Sequence, residues 1–133
     1  MSTYKPLIAA LVLALVSGCA ESPEYLAKRA QLLDETTPVC VGDADCNAKW
    51  NAAQHWVVNN AGFKIYKAND DLIDTYYGSE WDERLVFRVT KEPLGDGKYK
   101  ILASASCTNF FGCIPDRWKA TLAFNKSIDA VRP

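Results

Sequence analysis

The chain has 133 residues, 49% of them hydrophobic and 23% charged, and its 15 Lys and Arg nearly cancel its 16 Asp and Glu to leave a net charge of −1. With no positive surplus to neutralise phosphates, it is not a nucleic-acid binder of the basic type. Seven Gly and six Pro among plentiful aromatics exclude a disordered or collagen-like chain, and five cysteines, an odd number, need an account.

The chain opens with a short stretch whose only charge is Lys5, followed by ten consecutive apolar residues, Leu7 to Val16. Ten residues rise about 15 Å as a helix, half of a hydrocarbon core of roughly 30 Å, so the run is too short to span a bilayer and fits the apolar core of a secretory signal. Val16-Ser17-Gly18-Cys19 comes next: an aliphatic residue, two small residues and a thiol. In that order and at that distance the N-terminus resembles the bacterial lipoprotein signal class, in which small side chains let an extended backbone enter the signal peptidase and the cysteine takes the diacylglyceryl group.

The resemblance covers residues 1–19. It implies a signal peptide over 1–18, a lipidated N-terminus and tether over 19–37, and a periplasmic domain over 38–133. Ala20 stands where an Asp commonly retains such proteins in the inner membrane, which implies the outer membrane, facing the periplasm. Two or more acyl chains, at ~0.8 kcal/mol per buried CH₂, anchor stably where one is marginal. About 115 residues then remain, enough for one real core.

In the tether Leu26, Ala30 and Leu33 repeat at helical spacing, so Glu24 to Asp34 reads either as a short helix or as a solvated linker, closed by Thr36-Thr37-Pro38. From Asp45 to Ala61 the pattern is helical: Trp50, Ala53, Val57 and Ala61 fall within about 80° of one another at 100° per residue. Asp43 or Asp45 would cap its start, and Asn59-Asn60-Ala61-Gly62 would stop it.

The period then changes to two. Phe63 to Ala68 and Leu72 to Tyr77 flank the turn-forming Asn69-Asp70-Asp71 and read as a hairpin. Leu85 to Lys91 and Tyr99 to Ala105 alternate around Gly95-Asp96-Gly97, where Asp-Gly is the best local hairpin signal in the chain. After Cys113, Pro115 suits a first helical turn, and Trp118, Thr121, Leu122, Phe124, Ile128 and Val131 mark an apolar stripe. The order α-β-β-β-β-α predicts a two-layer α+β domain, a four-stranded antiparallel sheet with two helices on one face.

Four cysteines remain once Cys19 is assigned to lipid. Cys40 and Cys46 bracket the start of the first helix, and Cys107 and Cys113 bracket the connection from the last strand to the last helix, each pair with five residues between. In an oxidising periplasm they read as two disulfides. Three connectivities are possible. Chain entropy favours bridges that close long loops, at roughly 4–5 kcal/mol each against roughly 2–3 for local ones. Proximity and the repeated spacing favour Cys40–Cys46 with Cys107–Cys113, and local pairing is our expectation. A zinc site would want closer pairs and a reducing compartment, so no metal and no cofactor are expected.

The catalytic inventory is thin. His55, the single histidine, falls on the solvent side of the first helix, and there is no nucleophile elbow, phosphate-binding loop or His-Glu-x-x-His pair. Asp70, Asp71, Asp74, Glu80, Asp82 and Glu83 put six acids into fourteen positions, a candidate docking surface for a basic partner. Trp81 sits among them, and Phe110-Phe111-Gly112 lies inside the Cys107 to Cys113 segment, where a stapled loop would display aromatic anchors. Rings beside loops more often belong to the core or cover the sheet, and we expect that of Tyr77 next to Gly78 above all. The sequence thus points to a non-enzymatic lipoprotein held by the lipid on Cys19 that binds an envelope protein in an assembly, inhibitor or immunity-type role. The alternative is a periplasmic hydrolase, or a cation or small-ligand binder, built on the acidic 70–83 segment.

Overall fold

A computed structural model describes residues 20–133; the expected signal segment and Cys19 lie outside the described residues. In chain order the elements are α1 (Pro23–Thr36), β1 (Val39–Val41), α2 (Gly42–Asn60), β2 (Ile65–Ala68), β3 (Leu72–Thr75), β4 (Val86–Gly95), β5 (Lys98–Ser106) and α3 (Arg117–Asp129). The chain divides after Ala30, within α1, into two compact units, the second being Gln31–Pro133. Among the described residues no helix is long and apolar enough to cross a membrane.

Of the two readings of the tether, the helix is the one realised. Its N-terminal half is held by local pairs. Ser22 Oγ accepts from the Tyr25 amide at 3.2 Å, Glu24 and Lys28 pair at 2.9 Å, and Arg29 reaches Glu21 at 3.3 Å and the Tyr25 hydroxyl at 3.0 Å. Such exposed pairs contribute only about 0.2–0.5 kcal/mol each, and no residue of α1 is buried. Within the second unit the last turn of α1 is fixed by Lys100, paired with Asp34 at 2.9 Å, and by the buried Asn125, whose Nδ2 donates to the Leu33 carbonyl at 3.2 Å.

All five strands pair antiparallel in the order β1-β5-β4-β3-β2. The sequence predicts four strands and two helices; the structure adds β1 at one edge, beside the start of β5, and α1. Three residues are too few to show alternation, and the partner that makes β1 a strand, Cys40 opposite Tyr99, lies far along the chain. The predicted hairpin turn is there: Asp96 and Gly97 both take positive φ, 53° and 71°, the left-handed pair that a two-residue type I′ turn requires.

Alternation along the strands sorts the two faces of the sheet. Ile73 and Thr75 on β3, Phe87 and Val89 on β4, and Ile101, Ala103 and Ala105 on β5 are buried. Against them lie Trp50, Ala53 and Val57 of α2 and Ala120, Phe124 and Ile128 of α3. The Trp56 ring joins the layers, edge-on to Phe87 at 5.2 Å and to Phe124 at 5.3 Å. Each fully buried side chain of this size stabilises the fold by about 1.5–3 kcal/mol. Both helices therefore cover one face.

The helix ends differ from their predicted chemistry. α2 begins earlier, at Gly42, and neither Asp43 nor Asp45 stands at its N-cap, which is Val41. Asp45 instead reaches back, accepting from the Val41 amide at 2.9 Å and meeting Lys49, whose Nζ donates to the Val39 carbonyl at 2.9 Å. That partnering lets a lysine be buried at the edge of the core. Pro115 does not start α3: Asp116 is the N-cap, its carboxylate accepting from the Trp118 and Lys119 amides at 3.0 Å each, and Pro115 precedes it after a cis peptide bond. The two disulfides are the local ones, Cys40–Cys46 and Cys107–Cys113.

Candidate interaction surface

Two loops meet at one end of the sheet: residues 76–85, which join β3 to β4, and residues 107–116, which join β5 to α3. Their conformations are set by each other. The Asn109 amide donates to the Asp82 carbonyl at 3.0 Å, the Ile114 amide donates to the Glu83 carbonyl at 2.9 Å, and the Thr108 hydroxyl, 29 residues from Ser79 in sequence, donates to the Ser79 carbonyl. The Cys107–Cys113 bridge closes the second loop, and inside it Asn109 Oδ1 accepts from the Phe111 amide at 3.0 Å. Gly112, at φ 127°, holds a backbone conformation that side chains rarely adopt.

Within the first loop Asp82 is an internal strut. Its carboxylate takes the Arg84 guanidinium on both oxygens, Nε to Oδ1 at 3.0 Å and Nη2 to Oδ2 at 2.7 Å, and the Arg84 amide as well at 3.0 Å. The Arg84 side chain, ahead of its amide, holds the Asp82 carboxyl below the ordinary carboxylate range, and the same pair raises Arg84. The other side of the guanidinium lies over the Phe63 ring, 4.3 Å from its centre. Gly78 completes the strut, because a Cβ there would stand 2.4 Å from Asp82 Oδ2.

What this framework presents outward is aromatic. Phe110 is 88% exposed, Phe111 84% and Trp81 64%. Trp81 and Phe111 stack at 6.4 Å with 24° between planes, and Phe110 meets Phe111 edge-on at 5.6 Å. Ile114 and Tyr77 are exposed on the same two loops, and Tyr77 corrects half of its expectation: it is not core, although it does line the open face of the sheet. The reason is that β3 ends at Thr75, so alternation no longer governs Tyr77. A signal for Ile114 was present: residues 107–115 hold no charge in a chain that is 23% charged.

The six acids are not one cluster. Asp70 and Asp71 lie in the β2–β3 turn, where Asn69 Oδ1 accepts from the Asp71 and Leu72 amides. Asp74 is on the open face of the sheet, paired with Arg88 of β4 at 3.0 Å. Only Glu80 and Glu83 remain exposed beside Trp81. Among the described residues no three His, Cys, Asp or Glu side chains converge where a metal ion would sit. His55 is exposed on α2.

This surface is suited to recognition. Aromatic side chains carry large contact areas at a small cost in rotamer freedom, and here hydrogen bonds and a disulfide already fix the backbone beneath them. No protein-family model, curated protein or solved structure matches the chain.

Proposed function

We propose that this chain is an outer-membrane lipoprotein, anchored through lipid on Cys19 and facing the periplasm, whose domain binds another envelope protein through Trp81, Phe110 and Phe111 and works by recognition rather than catalysis. The observation that carries the reading is the exposure of three rings, Trp81 and Phe110 each in contact with Phe111, on two loops stitched to each other. The partner is an apolar pocket with a basic rim, since Glu80 and Glu83 are the exposed acids on the Trp81 loop and the exposed Arg84 is already paired with Asp82. Separation of the other acids onto a turn and a sheet face favours this over a hydrolase or cation site built on residues 70–83.

The anchor and the surface are tested separately. Cys19→Ala should move the protein out of the membrane fraction, and unchanged fractionation would remove the lipid anchor from the proposal. A photo-crosslinking amino acid at position 110 in growing cells should give one discrete protein adduct, with none from the same group at position 55. Absence of an adduct from positions 81, 110 and 111 across growth conditions would overturn the binding surface.

A further inference from the structure

The helices α2 and α3 cover one face of the sheet, and the other face carries a hollow of about 680 Å³ whose lining includes Tyr66, Tyr76 and Tyr77. Its shape follows from side-chain size and from one irregularity in pairing. The β2–β3 register shifts between Ile65 and Lys67, and Tyr66, the residue at this bulge, lines the hollow together with Asp74 and Tyr76. The Tyr76 amide donates to the Lys64 carbonyl at 3.0 Å, which holds that ring next to β2 after β3 has ended. Tyr66 and Tyr76 meet edge-on at 5.2 Å and both remain more than half exposed. Toward β5 the lining is small: Ser104 stands opposite Arg88 and Ser106 opposite Val86. Large rings at one side and serines at the other leave the hollow between them.

The polar groups show what it would take. Asp74 and Arg88 are direct cross-strand partners and pair at 3.0 Å, with Arg88 58% exposed at its side chain. Only one guanidinium N–H is used in that bond, so further donors remain, and the second carboxylate oxygen is an open acceptor. The two charges cancel. A phosphate ligand would want a positive surplus and a cation a negative one, while an acyl chain would leave the pair and the serines unsatisfied. A ligand with a flat apolar face and a rim of hydroxyls that both donate and accept suits the rings, the ion pair and the serines together. That is a pyranose ring. The volume lies within the roughly 300–1,000 Å³ of small-molecule sites and admits a short oligosaccharide.

We propose that the open face of the sheet is a binding site for a neutral oligosaccharide, stacked on Tyr66 and Tyr76 and hydrogen-bonded by the Asp74–Arg88 pair and Ser104. This goes beyond the protein-binding surface and uses none of its three rings. The test is calorimetric titration of the full chain in detergent with two neutral probes, chitotetraose and cellotetraose. Saturable binding of at least one is expected, and the difference between them reads whether an acetamido group is needed. Tyr66→Ala and Tyr76→Ala should each weaken binding about fivefold to tenfold, and Asp74→Asn with Arg88→Gln should weaken it at least as much. Both tyrosines are exposed, so melting temperatures should stay near the parent's and separate lost contacts from lost folding. Phe110→Ala with Phe111→Ala should leave saccharide affinity unchanged, which keeps this site distinct from the protein-binding surface. No heat from either probe at millimolar concentration, or binding indifferent to both tyrosine variants, would overturn the proposal.

Discussion

Trp81 and Phe111 stack at 6.4 Å although they come from different loops, and neither ring has the core beneath it. Their contact is made by loop conformation, through the Asn109 and Ile114 amides bonded to the Asp82 and Glu83 carbonyls, rather than by burial. Surface ring contacts contribute little to folding, so Trp81→Ala and Phe111→Ala should each change the unfolding free energy by under about 1 kcal/mol. Each should nevertheless abolish the adduct formed from position 110. Urea titration beside the in-cell crosslink separates the two effects, and a large loss of stability would show that the rings serve the fold.

Gly62 is a position where the backbone leaves no room. A Cβ there would lie 2.4 Å from Arg84 Cβ and 3.0 Å from the Leu85 nitrogen, while the Gly62 amide donates to the Leu85 carbonyl at 2.8 Å. The obstacle includes main chain and cannot swing away. Gly62→Ala should therefore destabilise by about 1–3 kcal/mol, lowering the urea midpoint. An unchanged midpoint would mean that the junction between α2 and β2 yields freely.

Phe87 is fully buried and takes the edge of Trp56 at 5.2 Å. Phe87→Ala should cost about 3–5 kcal/mol, a large share of the roughly 5–15 kcal/mol that holds a domain of this kind. A loss near 1 kcal/mol, measured by denaturant unfolding, would place the centre of the core elsewhere.

Acid should weaken the fold through two carboxylates. Asp45 is lowered from the ordinary 3.8, first by the Val41 amide and then by Lys49, and Asp82 is lowered by Arg84. In the folded state both stay ionised to lower pH than in the unfolded chain, so the unfolded chain binds more protons below about pH 4 and stability rises with pH there. Their contribution is present above the unfolded-state value and is lost as pH falls through the folded-state value. Both side chains keep partial contact with solvent, so screening keeps the effect small. Replacing both by Asn should flatten the fall in melting temperature from about pH 5 to about pH 3, and an unchanged slope would assign acid sensitivity to other groups.

What was legible in the sequence was local. The Asp96-Gly97 turn follows from two residues that accept positive φ, and the Trp50, Ala53 and Val57 stripe follows from helical period, so both could be read without a partner. β1 could not, because three residues become a strand only opposite Lys98 to Lys100. Pro115 carried a true signal, a break in the chain, with the wrong consequence, since Asp116 beside it was the better cap. The candidate surface was half legible. Composition marked Trp81, Phe110 and Phe111, but whether loop rings point in or out is set by hydrogen bonds between distant loops, and no period reports those. The same reason explains the acids: fourteen positions that look like one cluster run through a turn, a strand and a loop, and the fold separates them.

The Cys40–Cys46 bridge sets how the domain answers a pull. Tension arriving from the N-terminal side meets the polar contacts of Asp34 and Leu33 and then β1, an edge strand of three residues that would unzip from β5 one pair at a time. At Cys40 unzipping stops, because the bridge carries the load past residues 41–45 into α2. From there it falls on a helix whose Trp50, Ala53 and Val57 are seated beneath the sheet. A domain pulled from its N-terminal side thus resists with its packed interior rather than with its weakest seam.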